Sequence, residues 1–218
     1  MKQTMPTVLI TGASRGLGRE LARQYAEDGW RIIGTERGAK AEYPLDVTKR
    51  DQVAQLAAKL KSAPIDVLFC NAGIIGKRGM ALGSFDYDAW EEVLRVNLLG
   101  VASVIEALVE NVAASERKVI AVMSSRLGSI TESSGVTLPY ATSKAALNLL
   151  AKGLAATLAS RGIVVVALSP GWVRTDMGGA GAPLSPQSSV GGLRKVIAGL
   201  KPSDSGKFFS HDGSTIPW

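Results

Sequence analysis

Tyr140 and Lys144 stand four residues apart in Tyr140-Ala141-Thr142-Ser143-Lys144. If that segment opens a helix, the two side chains share a face, with Cβ atoms about 5–6 Å apart. An unperturbed tyrosine has a pKa near ~10, and a neighbouring ammonium favours the phenolate. Lys144 would therefore draw Tyr140 toward the range in which it can donate or remove an alcohol proton. By chance the spacing recurs in roughly half of chains this long, so order and context must supply the specificity. Upstream, the apolar run Val119-Ile120-Ala121-Val122-Met123 leads into Ser124-Ser125-Arg126-Leu127-Gly128.

A second cluster points to anion binding. Thr11-Gly12-Ala13-Ser14-Arg15-Gly16-Leu17-Gly18 follows the apolar run Thr7-Val8-Leu9-Ile10 and precedes Glu20-Leu21-Ala22-Arg23-Gln24-Tyr25-Ala26, whose apolar positions have helical spacing. Strand, glycine turn and helix in that order make a phosphate cradle. Glycine permits φ > 0 and close backbone approach, and the free N–H groups and positive end of the helix attract a pyrophosphate. The candidate contacts are Gly12, Ser14, Arg15, Gly16, Leu17 and Gly18. Asn97 breaks a helical stretch, Trp90 to Gly100, at a cost of about 0.5 kcal/mol relative to alanine, and broken local rules cluster at functional sites.

The glycine spacing is Gly-x-x-x-Gly-x-Gly, and here the chain resembles the short-chain dehydrogenase/reductase family, which uses this variant. Asn71-Ala72-Gly73 resembles that family's Asn-Ala-Gly element, with Cys70 where a second asparagine often stands. Asp46-Val47, after what would be the third strand, resembles the pair that contacts the adenine ring; an Asp capping the next helix is the other reading. Ser125 to Gly128 resembles the Ser-x-x-Gly segment. The resemblance makes Ser125, not Ser124, the hydroxyl on the substrate, Tyr140 the acid-base, Lys144 a ribose ligand, and Asn97 the residue that holds a relay water. Ser169-Pro170-Gly171-Trp172-Val173-Arg174-Thr175 resembles Pro-Gly-x-x-x-Thr, implying that the Val173 backbone and Thr175 hydroxyl hold the nicotinamide carboxamide, with Pro170 and Gly171 beside it. The ending, Phe208 to Trp218, looks like that of the short C-factor-like carbonyl reductases.

Positioning these residues takes a sheet. The runs Thr7-Val8-Leu9-Ile10, Arg31-Ile32-Ile33-Gly34-Thr35, Ile65-Asp66-Val67-Leu68-Phe69-Cys70, Val119-Ile120-Ala121-Val122-Met123 and Ile163-Val164-Val165-Val166-Ala167-Leu168 are mostly apolar on both faces. They alternate with helical stretches, as in a parallel sheet covered on two sides. The expected fold is α/β: one doubly wound, Rossmann-like parallel sheet, with residues 1–218 forming a single dinucleotide-binding oxidoreductase domain. The short connection 35–46, with Gly38 and Pro44, leaves little room for the usual helix there. Gly178-Gly179-Ala180-Gly181-Ala182-Pro183 makes 177–187 a candidate substrate loop before a helix over 186–200.

Composition is that of an ordinary globular domain, 46% hydrophobic and 20% charged, and its 25 basic residues are scattered, so the net charge of +6 gives no nucleic-acid stripe. No apolar run reaches the roughly 20 residues of a membrane span, and the start lacks a signal-peptide core, so the expected location is cytoplasmic and no membrane partner is expected. The single Cys70 lies in an apolar run and reads as a buried structural thiol; the single His211 sits in a polar tail; neither has metal-ligand companions, and no metal is expected. The expected activity is hydride transfer between a nicotinamide cofactor and a small carbonyl/alcohol substrate; a dinucleotide-binding redox sensor or signalling protein with little turnover is the alternative. Glu36, 18 positions after Gly18, fits the ribose hydroxyls of NAD, whereas Arg15 and Arg37 fit the 2′-phosphate of NADP; the balance leans to NAD. The helix from Tyr140 is apolar around most of its circumference, which implies a homodimer.

Overall fold

The structure is a computed structural model that describes residues 5–38, 40–61 and 63–218. Strands β1 (Thr7–Ile10), β2 (Arg31–Gly34), β3 (Val67–Cys70), β4 (Val119–Met123), β5 (Val164–Ser169) and β6 (Phe208–Ser210) form one parallel sheet in the order β2-β1-β3-β4-β5-β6. The order reverses between β1 and β3, which opens a crevice beyond their carboxyl ends, where such sheets bind ligands. Every residue of β1, β3, β4 and β5 is buried, as the unbroken apolar runs require.

Alternation along the strands divides the core. Leu9, Leu68, Ile120 and Val165 face one layer with α2 (Arg50–Leu60), α4 (Val101–Ala113) and α5 (Leu138–Thr157). Val8, Ile10, Phe69 and Val166 face the other with α1 (Gly16–Glu27) and α6 (Pro186–Ala198). The short α3 (Tyr87–Leu94) leads through a π-helical turn, Arg95–Gly100, into α4.

Two readings of the sequence need correction. Among the described residues no third strand precedes Asp46: the connection makes one parallel bridge, Glu36 to Pro44, and turns Tyr43 and Leu45 into the core instead of alternating along an edge. Nor does Asp46 cap α2, which starts after Lys49; its carboxylate accepts from the Thr48 amide at 2.9 Å and hydroxyl at 2.7 Å in a local turn. The reduced connection is as expected, since no helix stands between β2 and α2 among the described residues. The sheet gains one strand beyond the apolar runs of the sequence, β6, which lies at its edge beside β5.

Candidate active site

The glycine turn is built by sterics. Gly12 and Gly16 have φ of +71° and +54°, and a Cβ on Gly18 would lie 2.0 Å from the Gly12 carbonyl oxygen, so α1 packs on the turn only if residue 18 has no side chain. Asn71 fastens the turn to the end of β3 by donating through Nδ2 to the Thr11 and Gly12 carbonyls at 3.0 Å each. Thr11, which the sequence pattern alone does not single out, accepts at Oγ1 from the amides of Asn71 and Ala72, both at 3.0 Å. Its one signal is a threonine directly before the first glycine.

The turn fits a pyrophosphate. α1 has no side-chain N-cap and no acid in its first turn, and among the described residues no acceptor meets the backbone N–H groups of Ser14 and Arg15. Those of Gly16 and Leu17 lie in the first helical turn, where no intrahelical partner exists. Arg15 also pairs with Asp176 at 3.5 Å, joining the turn to the loop after β5. That loop is tightly folded: Gly178 N–H donates to Thr175 Oγ1 at 3.1 Å, the Trp172 indole donates to the Gly178 carbonyl at 2.8 Å, and Arg78 reaches the Met177 carbonyl from across the crevice. Val173 is buried, and Thr175 lies over Gly16. Pro170 accepts from Ser189 at 2.7 Å, which ties the loop to α6, and Gly171 takes φ +76° beside His211.

α5 brings Tyr140 and Lys144 together on its buried face. Lys144 Nζ donates to the Met123 carbonyl at 2.8 Å and lies 5.5 Å from the Tyr140 ring centroid. One donor is thereby used, and two remain for the hydroxyls of a ribose. A Cβ on Gly73 would lie 3.5 Å from Nζ, so that glycine keeps the space above the lysine open. Burial pushes Lys144 down to about 8. It also pushes Tyr140 up to about 12, against a pull the other way from the Ser125 hydroxyl. The expectation that Lys144 draws Tyr140 down does not hold: desolvation of the phenolate wins.

Ser124 and Ser125 part company at the end of β4. Ser124 is buried and its hydroxyl donates to Asn148 Oδ1 at 2.6 Å; Ser125 is half-buried, and its hydroxyl accepts from the Leu127 amide at 3.3 Å while influencing Tyr140. Of the two serines, Ser125 is the one that pulls the Tyr140 pKa down.

Asn97 is fully buried in the π-helical turn, not on a surface. Its side chain is fully engaged: Oδ1 accepts from Ile74 N–H at 2.9 Å, and Nδ2 donates to the Ile74 carbonyl at 2.8 Å and to Ser143 Oγ at 3.0 Å. The amide therefore fixes the loop segment that follows Gly73. Val47 is buried against Gly100, where a Cβ would lie 2.7 Å from it, and Asp46 is held below the usual carboxylate range chiefly by Thr48 and, further down, by Arg37. Glu36 is half-buried and Arg37 exposed at the far end of the crevice. Cys70 is buried, and burial pushes its thiol up to about 12.

Known proteins with this fold are numerous. C-signal of Myxococcus xanthus is 39% identical over 163 residues, 74% of this chain and 98% of that protein. The carbonyl reductase Sniffer of D. melanogaster superposes with a TM-score of 0.90 at 30% identity, covering 99% of this chain and 100% of Sniffer. A short-chain dehydrogenase/reductase from Burkholderia multivorans with bound NADP does so with a TM-score of 0.89 at 32% identity, covering 99% of this chain and 100% of the other. The sequence model of the family described as short chain dehydrogenase matches residues 6–182. With the phosphate turn, the Tyr140–Lys144 helix and the parallel sheet all lying inside that match or its structural likeness, the chain belongs to the short chain dehydrogenase family and is an NAD(P)-dependent oxidoreductase.

Proposed function

We propose that the chain is a carbonyl reductase in which Tyr140 is the proton donor, Ser125 orients the substrate carbonyl, and Lys144 binds the nicotinamide ribose. The observation that carries this reading is the phenol of Tyr140, held protonated by burial beside the Ser125 hydroxyl and one helical turn from Lys144. Burial keeps the phenol protonated at neutral pH, as a proton donor must be. The bound cofactor supplies the hydride. Ser125 and Tyr140 both donate hydrogen bonds to the carbonyl oxygen, and Tyr140 passes its proton to that oxygen as negative charge builds there. Asn97 keeps Gly73 and Ile74 in place beneath the lysine.

The remaining contacts in this reading are the backbone N–H groups of Ser14, Arg15, Gly16 and Leu17 on the pyrophosphate, Asp46 and Val47 at the adenine, Asn71 to Gly73 along the crevice, and Val173 with Thr175 at the carboxamide. NADP(H) is the cofactor the reading favours. Arg15 is paired with Asp176, whereas Arg37 is exposed and makes no ion pair among the described residues, so it is available to a 2′-phosphate. The lean to NAD rests on Glu36 alone; the relative from Burkholderia multivorans carries NADP.

Assay of NADPH oxidation with a panel of aldehydes, ketones and quinones tests the activity. Substrate-dependent turnover that disappears in Tyr140→Phe supports it. Tight cofactor binding with no turnover on any of them favours the second reading, a dinucleotide-binding signalling protein, toward which the name of the Myxococcus xanthus relative points.

The same reading includes a homodimer and a cytoplasmic location. α4 and α5 leave a groove of about 310 Å³ on the outer layer, lined by Ala102, Ile105, Val109, Leu150, Leu154 and Leu158, with the exposed Glu106 among them. A two-fold axis through it would set apolar positions of one copy against the same positions of the next. Light scattering at micromolar concentration should give a dimer that Leu154→Lys splits; a wild-type monomer rules this out. No helix among the described residues is long and apolar enough to cross a membrane.

A further inference from the structure

Asn148 lies on α5 one turn beyond Lys144 and is 3% exposed. Asparagine is a poor choice for the buried side of a helix, because any unpaired amide atom there is costly. Both ends of this amide are paired. Ser124 Oγ donates to Oδ1 at 2.6 Å, and Nδ2 donates to the Gly128 carbonyl at 3.1 Å.

Those two partners bracket Ser125. The turn between them closes on itself, with Gly128 N–H donating to the Ser125 carbonyl at 2.8 Å. It also presses on the catalytic helix: a Cβ on Gly128 would lie 2.8 Å from both the carbonyl carbon and the Cβ of Lys144. β5 supplies the other supports, since Ser124 N–H donates to the Leu168 carbonyl at 2.7 Å and Arg126 N–H to Ser169 Oγ at 3.0 Å. Lys144 Nζ also bonds α5 to the end of β4, at the Met123 carbonyl, but the Asn148 amide is what ties the two residues on either side of Ser125, Ser124 and Gly128, to the helix that carries Tyr140 and Lys144.

We propose that Asn148 is a positioning residue for carbonyl reduction, setting the separation between the end of β4 and α5 so that the Ser125 hydroxyl meets the Tyr140 phenol. The inference rests on Ser125 being the hydroxyl that orients the substrate carbonyl. A displacement of about 1 Å in a reacting group can lower turnover on the order of a hundredfold, so the amide's effect is read in kcat.

The test is a double-mutant cycle. Asn148→Ala and Ser124→Ala should each lower kcat roughly 10- to 100-fold, with KM and the NADPH dissociation constant within about threefold of wild type. Both should move the alkaline limb of the reduction profile upward, because Tyr140 loses the hydroxyl that draws its pKa down. In a Ser125→Ala background the same substitutions should have less than about twofold further effect, since residues acting as a unit are not additive. Should Asn148→Ala fail to fold, Ser124→Ala carries the cycle, because it removes one hydroxyl and leaves the amide bonded to Gly128. Multiplicative losses in the Ser125→Ala background, or unchanged kcat in the single variants, overturn the proposal. A Ser125→Ala enzyme with wild-type turnover instead overturns the underlying role of Ser125.

Discussion

The Asn97 amide donates to the Ser143 hydroxyl at 3.0 Å and so ties the π-helical turn to α5, the helix of Tyr140 and Lys144. Ser143 in turn donates to the Tyr140 carbonyl at 2.7 Å, and Asn97 and Ser143 are both fully buried. Asn97→Asp keeps the shape but replaces two donated protons with acceptors facing the Ile74 carbonyl and Ser143 Oγ. The expected loss is about 2–4 kcal/mol of stability, as each buried polar group left unpaired costs ~1–3 kcal/mol. Burial raises the pKa of such an aspartate, so the loss should be smaller in acid, where the carboxyl is protonated and donates once, and larger as pH rises through neutrality. Urea denaturation of the variant from pH 5 to 8 checks this; a loss that does not change with pH speaks against the donor role.

Lys144 is held at a cost. Its pKa is about 8 in the folded protein against 10.5 for an ordinary lysine. Below pH 8 both states carry the proton and the fold bears the full penalty of a buried ammonium. Between pH 8 and 10.5 the unfolded chain binds more protons, so stability rises with pH relative to a chain without the group. Lys144→Met should therefore abolish turnover yet raise stability at pH 7 by about 2 kcal/mol, roughly 4–8 °C in Tm, with the lost bond to Met123 offsetting part of the gain. The advantage over wild type should shrink toward pH 10. A variant no more stable than wild type at pH 7 would contradict the direction of the shift.

Most of what positions the chemistry is legible in local pattern. The glycine turn shows itself because Gly12, Gly16 and Gly18 stand between an apolar run and a helical one, and Tyr140 with Lys144 because four residues make one helical turn. Asn148 and Ser143 are not legible in this way. The helix from Tyr140 is apolar on most sides, so periodicity does not mark which face is inward, and an asparagine bonded to Ser124 looks the same in one sequence as a solvated one. The absent third strand has a similar cause: Tyr43 and Leu45 have the alternation of an edge strand, but a single bridge between Glu36 and Pro44 closes the connection before a ladder can form. The rise in the Tyr140 pKa is a property of burial, set by packing from several elements, and no spacing encodes it.

The two directions of the reaction should answer pH oppositely. With its phenol near 12, Tyr140 is protonated across the neutral range and competent as an acid, so kcat for carbonyl reduction should stay level through neutrality and fall only on the alkaline side. Alcohol oxidation needs the phenolate and should rise steadily over the same span. Tyr140→Phe should lose about 10²–10⁴-fold in both directions while binding cofactor normally. A variant within about threefold of wild type would remove Tyr140 from the proton path.

Cofactor choice turns on Glu36 and Arg37. Glu36 is half-buried, with its backbone engaged on both sides: its N–H donates to the Tyr43 carbonyl at 3.3 Å and its carbonyl accepts from Leu45 N–H at 2.9 Å. The backbone is fixed, and in the proposed reading the carboxylate either bonds ribose hydroxyls or repels a 2′-phosphate. Arg37 is exposed, adds to the lowering of the Asp46 carboxyl behind Thr48, and presents a fork that matches a phosphate. If the guanidinium prevails, as the proposed NADP(H) preference requires, NADPH should bind at least tenfold more tightly than NADH, about 1.4 kcal/mol, at one ionic strength. Arg37→Ala should erase that preference by weakening NADPH alone, and its effect should diminish with added salt, as an exposed charge pair requires. Glu36→Gln should raise NADPH affinity and lower NADH affinity. A tenfold preference for NADH in the wild-type protein, lost in Glu36→Gln, would instead show the carboxylate in control.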